Sequence, residues 1–219
     1  MLSPAAVRHF YDRFGARQDR QGFYEDPALD DLLAHADLSS ARRIVEFGCG
    51  TGRLAARLLQ QAPSAAYIGW DVSTTMVRLA RDRLGPLGRR AQVHLLDPGA
   101  VQLPIPDHAA DRFVSTYVLD LLSPEDIHAV LREARRVLQP GGRLCVASLA
   151  AGSTAVSRLV SGLWTLVFRL RPQLVGGCRP IALAPYCAGS SWEVLHQRVV
   201  RSWGISSEVL VARPADAAG

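Results

Sequence analysis

Short apolar runs of strand length alternate along this chain with longer stretches whose apolar residues recur three and four apart. "RRIVEF" (42–47) reads as a buried strand, and "RLAARLLQQA" (53–62) behind it as a helix. The pair repeats in "AAYIGWD" (65–71) and "TTMVRLARDRL" (74–84). "AQVHLLD" (91–97) is a strand, and "ADRFVSTYVLDLL" (110–122) a strand running into a turn. "SPEDIHAVLREARRVL" (123–138) opens with Ser123 as N-cap, Pro124 at the first helical position and acids in the first turn, which marks a helix start. Pro140 to Gly142 end that helix, and "RLCVASL" (143–149) is a strand. Alternation of this kind predicts an α/β fold: a doubly wound, mostly parallel sheet with helices on both faces.

The two ends differ. Residues 1–43 read as helical with a turn around Gly22 to Pro27, and Asp30 to Leu38 as a short amphipathic helix. After Ala150 comes a long apolar helical stretch, 153–175, then a loop at 176–185. "SWEVLHQRVV" (191–200) and "SSEVLVARP" (206–214) read as a closing antiparallel pair, which makes seven strands with the last one antiparallel. The tail 215–219 is expected to be disordered. Without internal repeats or a dividing linker, the chain reads as a single domain over 1–219: a helical cap (1–43), a core (44–149), and a substrate-side helix with closing strands (150–214).

Composition changes this picture little. Hydrophobic residues make up 48% of the 219 positions and charged residues 21%, ordinary globular usage. The net charge is +5, and all 25 basic residues are arginine. The densest basic stretch, Arg83 to Arg90, reads as a solvated helix end, with no run of five basic residues to suggest a polyanion site. Cys49, Cys145, Cys178 and Cys187 show no CxxC spacing, so no metal site is expected. Cys49 and Cys145 read as small buried residues, which suits a reducing cytoplasm. The first residues lack the apolar core of a signal peptide.

The candidate chemistry centres on "VEFGCGTGRL" (45–54). Gly48, Gly50 and Gly52 fall at a strand-to-helix turn, where bare backbone lets a ligand approach closely. Asp71 ends the second strand, 21 residues past Gly50, where an acid accepts hydrogen bonds from ribose hydroxyls. A nicotinamide dinucleotide shares both features. However, position 53 is Arg where that fingerprint needs glycine, and Glu46 would repel a pyrophosphate. Asp97 adds a third acid at an adjacent strand end. Three such acids suit a ligand with cationic groups, a ribose and an adenine, which describes S-adenosylmethionine (SAM). An NAD(P)-dependent oxidoreductase and a SAM-fold protein that binds without turnover are the two alternatives.

"VEFGCGTGRL", "WDVS", "STYVLDLL" and "VLREARRVLQPGGRL" together resemble the class I SAM-dependent methyltransferases, whose fold is Rossmann-like. The nearest subgroup is the "methyltransferase type 11" group with its ubiquinone/menaquinone and phospholipid methyltransferase relatives. The resemblance runs from about Tyr11 to Leu149. It implies that the loop of Gly48, Cys49, Gly50, Thr51 and Gly52 wraps the methionine portion and that Glu46 answers its amino group. It implies Asp71 at the ribose, Val72 and Met76 against the adenine, Asp97 at the adenine amine and Pro98 beside the ring. Tyr117 would line the passage to the acceptor, and Tyr11 would close over the methionine end. Pro98 replaces the usual small residue. Asp120 stands where many relatives carry a histidine, so a base role there does not carry over. Tyr117 and Asp120 are the catalytic candidates.

In such folds the stretch after the fifth strand covers the site. Here it holds Leu159, Leu163, Trp164, Val167, Phe168 and Leu170, an apolar cover that favours a hydrophobic small-molecule or lipid-like acceptor. Its arginine-flanked face also suits contact with a membrane surface, though it is too short to span one. Nucleic acid is a poor candidate partner: the Asn/Asp-Pro-Pro-aromatic motif of base-amine methyltransferases is missing after the fourth strand, and no aromatic stacking platform is interleaved with basic residues.

Overall fold

The structure, a computed structural model, describes residues 1–188 and 191–215. The expected disordered tail lies outside the described residues from 216 onward. Five parallel strands form the centre: β1 (Arg43–Phe47), β2 (Ala66–Asp71), β3 (Ala91–Leu95), β4 (Ala110–Thr116) and β5 (Leu138–Ala150). β6 (Trp192–Ser202) and β7 (Ile205–Pro214) close the sheet as a hairpin, with β7 antiparallel to both β5 and β6. The order is β3-β2-β1-β4-β5-β7-β6, so the strand order reverses between β1 and β4, where a crevice opens beyond the carboxyl ends.

Strand alternation divides the core in two. Ile44, Tyr67, Val114, Cys145 and Val211 face α2 (Gly22–His35), α3 (Arg53–Gln61) and α4 (Thr74–Leu84). Val45, Phe113, Leu144, Val146 and Leu210 face α5 (Pro124–Val137) and the short α7 (Ala184–Cys187). Glu46 shares its face of β1 with Ile44, because side chains two apart point the same way. α1 (Pro4–Phe14) caps the carboxyl end of the sheet, and α6 (Ala155–Leu170) lies outside the two main layers.

The predicted elements of the central region form, with local differences. Ser123 caps α5, accepting from the Asp126 amide at 3.0 Å. That helix ends at Val137, earlier than expected, because Leu138 already pairs with Ala110 and the residue before Pro140 is held out of helical conformation. The turn expected at Gly22–Pro27 is instead the first part of α2, with Pro27 inside the helix. Proline supplies no amide for the Phe23 carbonyl, and the Ser202 hydroxyl donates to that carbonyl at 3.0 Å from the end of β6. A neighbour distant in sequence thus makes up for the missing hydrogen bond.

Ile127 is fully buried on α5. Ile127→Ala should lower stability by about 2–5 kcal/mol, whereas Ser123→Ala, which removes only the cap, should cost about 1 kcal/mol. Urea denaturation measures both. Equal losses would contradict the packing assigned to α5.

Candidate functional site

The glycine turn is held against the end of β2. The Trp70 carbonyl accepts from the amides of Gly48 and Cys49 at 2.8 and 3.0 Å. Asp71 continues the line: its Oδ2 accepts from the Gly50 amide and its Oδ1 from the Ser73 amide, each at 2.9 Å. One carboxylate therefore joins the loops that follow β1 and β2. Gly48 sits at φ +80°, and a Cβ there would come within 2.2 Å of Val118 Cγ2. Bare backbone at Gly48 lets the turn after β4 close against the loop.

Glu46 is buried beside this loop and receives the Tyr67 hydroxyl. Gly69 makes that contact possible, since a Cβ there would stand 2.4 Å from the Tyr67 oxygen. Burial pushes the Glu46 carboxyl up to about 7, more than the tyrosine hydrogen bond lowers it. Burial likewise raises Asp71 to about 6 against the pull of its amide donors. Two adjoining carboxylates that are short of positive charge make a place for a cation.

Two adjoining cavities meet at the loop. The smaller, about 40 Å³, is polar and is lined by Glu46, Gly48, Cys49, Gly50, Thr51 and Tyr117, with Gln18, Glu25 and Arg53 among the rest. The larger, about 140 Å³, is mainly apolar. Phe47, Trp70, Val72, Leu96 and Val101 line its sheet side, and Leu2, Val7 and Tyr11 its cap side. Tyr117 borders both cavities, with left-handed backbone at φ +55° and its hydroxyl 2.9 Å from Ser207 Oγ. A tyrosine held in that conformation needs the surrounding structure to impose it, which is common at binding sites.

Some of the predicted residues fall outside this lining. Gly52 caps α3 and packs on Ala80, and Met76 is buried within α4. Asp97 and Pro98 are exposed, because the chain turns after β3 and presents Leu96, Gly99, Ala100 and Val101 to the cleft instead. Tyr11 borders the apolar cavity, its hydroxyl 3.7 Å from Cys178 Sγ, and does not line the polar one. Asp120 is fully buried and absent from both linings. Its Oδ2 accepts from the Leu149 amide at 3.2 Å, its Oδ1 has no partner, and burial raises it to about 7. No residue of α6 lines the cleft, contrary to the expected apolar cover: Leu159, Leu163 and Leu170 face outward, while Trp164 turns in and donates to the Cys178 carbonyl at 2.9 Å.

The tertiary fold also brings in residues that the sequence reading passed over. Gln18 lies over Gly50, and its Oε1 is buried without a partner. Asp19 accepts from the Thr51 hydroxyl at 2.6 Å, and Arg83 pairs with Asp19 at 2.6 Å while donating to the Thr51 carbonyl. Arg83 is thus part of the clasp over the loop rather than a solvated helix end. Asp12 receives Ser73 and Thr74 hydroxyls at the start of α4. Arg53 pairs with Glu25 at 2.8 Å and with Asp26, yet burial still raises Glu25 to about 7. The acids Asp12, Asp19, Glu25 and Asp26 meet these partners across 27 or more residues of chain, so no local pattern announces the contacts. Away from the cleft, Asp31, His35 and His196 also converge. The two imidazoles stack 3.5 Å apart at 5°, and Asp31 is committed to His196 and Arg198, so the trio ties α2 to β6.

A Rossmann-like sheet with a glycine loop after β1 and an acid ending β2 is the α/β architecture of the class I methyltransferases. The comparisons with known proteins agree. Residues 44–142 match the methyltransferase domain family, and the chain belongs to the class I SAM-dependent methyltransferases of the type 11/25 group. It is 31% identical over 160 residues to methyltransferase GfsG of Streptomyces halstedii, covering 66% of this chain and 56% of that protein. It is 34% identical over 155 residues to the malonyl-[acyl-carrier protein] O-methyltransferase of Geobacter sulfurreducens, covering 70% and 56%. Relatives also include a demethylmenaquinone methyltransferase of Thermus thermophilus (37% identity; 48% of this chain, 46% of that protein) and a tRNA N(3)-methylcytidine methyltransferase of Drosophila melanogaster (30%; 65% and 44%). The chain spans about half the length of the curated relatives it matches. Among solved structures, the [4+2]-cyclase SpnF shares the fold, with a TM-score of 0.67 at 21% identity over 88% of this chain and 81% of that one.

The residues present fit SAM. The buried Glu46 carboxylate has the Tyr67 hydroxyl as donor but no cation, and the Gln18 Oε1 has no donor, so both can accept from an ammonium, and the apolar cleft beside Asp71 suits a nucleoside. A measurable consequence concerns the ligand-free protein. Glu46, Asp71, Glu25 and Asp120 have folded-state pKa values raised above their ordinary ones. The folded chain then holds protons that the unfolded chain releases. The stability these groups contribute is therefore present below the ordinary carboxylate range and is lost as pH rises through about 6–7. Denaturation at a series of pH values should show stability falling from about pH 5 to about pH 7, with a shallower fall in Glu46→Gln. An unchanged slope in that variant would mean that Glu46 is already ionised when folded.

Proposed function

We propose that this chain transfers a methyl group from SAM to a small, hydrophobic or lipid-like acceptor. The observation that carries the reading is a pair of carboxylates without a cationic partner at the glycine loop: buried Glu46 lines the polar cavity, and half-buried Asp71 lines the adjoining apolar cleft. Bound there, SAM supplies a methyl group on a sulfonium, displaced in line to leave S-adenosylhomocysteine. Glu46 and Gln18 hold the ammonium in the polar cavity, and Asp71 takes the ribose hydroxyls. Val72 and Leu96, with Gly99 to Val101, pack on the adenine, in place of the contacts expected from Asp97 and Pro98. The apolar walls exclude water and set the acceptor in line, and positioning of that kind supplies most of the acceleration.

Tyr117 stands where the two cavities meet. Burial raises its pKa strongly, so it keeps its proton and orients the acceptor by hydrogen bonding rather than acting as a base. A base is needed only for an acceptor that must lose a proton, such as a phenol or alcohol. Burial raises Asp120 to about 7, but it is set behind the lining. The lipid-like acceptor is supported by the apolar lining and by the quinone and acyl-carrier substrates in the names of two relatives.

Thermal unfolding with SAM, S-adenosylhomocysteine or NADH tests the cofactor. Each adenosyl amino acid at about 100 times its dissociation constant should stabilise the protein by about 2.7 kcal/mol. Asp71→Ala and Glu46→Gln should weaken that effect at least about tenfold in affinity while keeping the far-UV spectrum, since each removes a hydrogen-bonded charged contact. Stabilisation by NADH alone would overturn the reading. Acceptor class is then read from transfer of labelled methyl into solvent-extractable products or RNA; label in RNA alone would overturn the lipid-like acceptor.

A further inference from the structure

α6 carries two apolar faces, and the fold uses one. Ser157, Val160 and Trp164 turn inward, and Val160 and Val156 lie against Gly204 of the β6–β7 turn. On the other side, Leu159, Leu163, Leu166 and Leu170 are each between 52% and 75% exposed. At about 100° per residue they fall within about 60° of arc, a continuous stripe along the helix. Beyond its end Leu174 is 71% exposed, and at the neighbouring turn Trp203 is 81% exposed. An outward face of a water-facing helix is normally polar, so a stripe of this length marks a surface that meets something apolar.

Charge decides what it meets. α6 contains no acidic residue. Arg158 and Arg169 leave the helix about 100° to one side of the leucine stripe, and Arg171 follows at its end. All three are exposed, and none takes part in an ion pair among the described residues. Apolar residues along one line, unpaired arginines along its flank and an exposed tryptophan at the edge form the pattern of a helix lying in a membrane interface: leucines in the acyl boundary, guanidinium groups at anionic headgroups. The segment after α6 also adjoins the cleft, because Leu2 packs against Gly177 and Phe10 against Gly176. Leu2 also lines the apolar cavity, so the segment after α6 lies next to that cavity.

We infer that the outer face of α6, with Trp203, docks this protein onto anionic lipid bilayers as a peripheral surface contact. No helix among the described residues is long and apolar enough to cross a membrane, so the contact is interfacial. The inference stands apart from the methyl-transfer reading, since neither the stripe nor its arginines touch the cleft.

The test is co-sedimentation of the full chain with vesicles of phosphatidylcholine alone or mixed with phosphatidylglycerol. The protein should partition onto the mixed vesicles at least about tenfold more strongly than onto the neutral ones, and added salt should weaken the binding. Leu163→Glu with Leu166→Glu, and separately Arg158→Glu with Arg169→Glu, should each lower partitioning at least about tenfold. Far-UV circular dichroism confirms that both variants fold. Folded wild-type protein that stays in the supernatant would overturn the inference, as would binding that neither pair affects. A dimer in solution that the leucine pair dissociates would also overturn it, because a second copy would then cover the face. Thermal unfolding with S-adenosylhomocysteine on the same preparations reports on the cofactor independently.

Discussion

The end of β2 fixes the geometry on which the site depends. Trp70 and Asp71, adjacent in the chain, take three consecutive amides of the glycine loop: the Trp70 carbonyl those of Gly48 and Cys49, the Asp71 carboxylate that of Gly50. A loop this rich in glycine has many conformations to lose. Here a neighbouring strand, itself locked by pairing on both edges, selects one. Asp71 also holds the start of the following loop through Ser73, so the cradle behaves as one unit built from two strand ends.

The electrostatics of that unit are deliberately uneven. Around its rim each acid has a cation: Asp19 has Arg83, Glu25 and Asp26 share Arg53, and Asp12 has Arg8 besides the hydroxyls that open α4. Inside it the acids have none. Glu46 has one tyrosine hydroxyl, Asp71 has backbone amides, and neither has a cation in an ion pair among the described residues. Burial then raises both carboxyls, a condition that a positively charged ligand relieves. The rim pairs hold the N-terminal cap in place, while the inner carboxylates give the cavity its preference.

The same division of labour separates α6 from the cleft. Its length and apolar character suit a lid by composition, yet its inner face is used up against the β6–β7 turn and the Cys178 loop. The apolar walls of the cleft come instead from the strand ends, the turn after β4 and the first residues of α1. The leucines of α6 are left facing outward.

The alternation of strand and helix periods was enough to determine the α/β sheet, the closing hairpin and the cradle residues Glu46, Gly48, Gly50 and Asp71. Each is a local feature: a period of two or 3.6, a cap, or a glycine turn between two such periods. Gly22 to Pro27 looked like a turn because proline breaks helices locally, and only Ser202, 179 residues away from Phe23, made the helix tenable. Asp97 is a plain acid after a strand in the sequence, and the path of the backbone after Leu95 decides that it faces solvent. Tyr67 could be recognised as the partner of Glu46 only once Gly69 was seen to leave it room. Which face of α6 turned inward was likewise undetermined, since both faces are apolar and periodicity gives no direction. Patterns within a few residues report the element and its chemistry. Contacts across the sheet decide which of those residues meet, because hydrogen bonds and close packing depend on distances that only the folded chain sets.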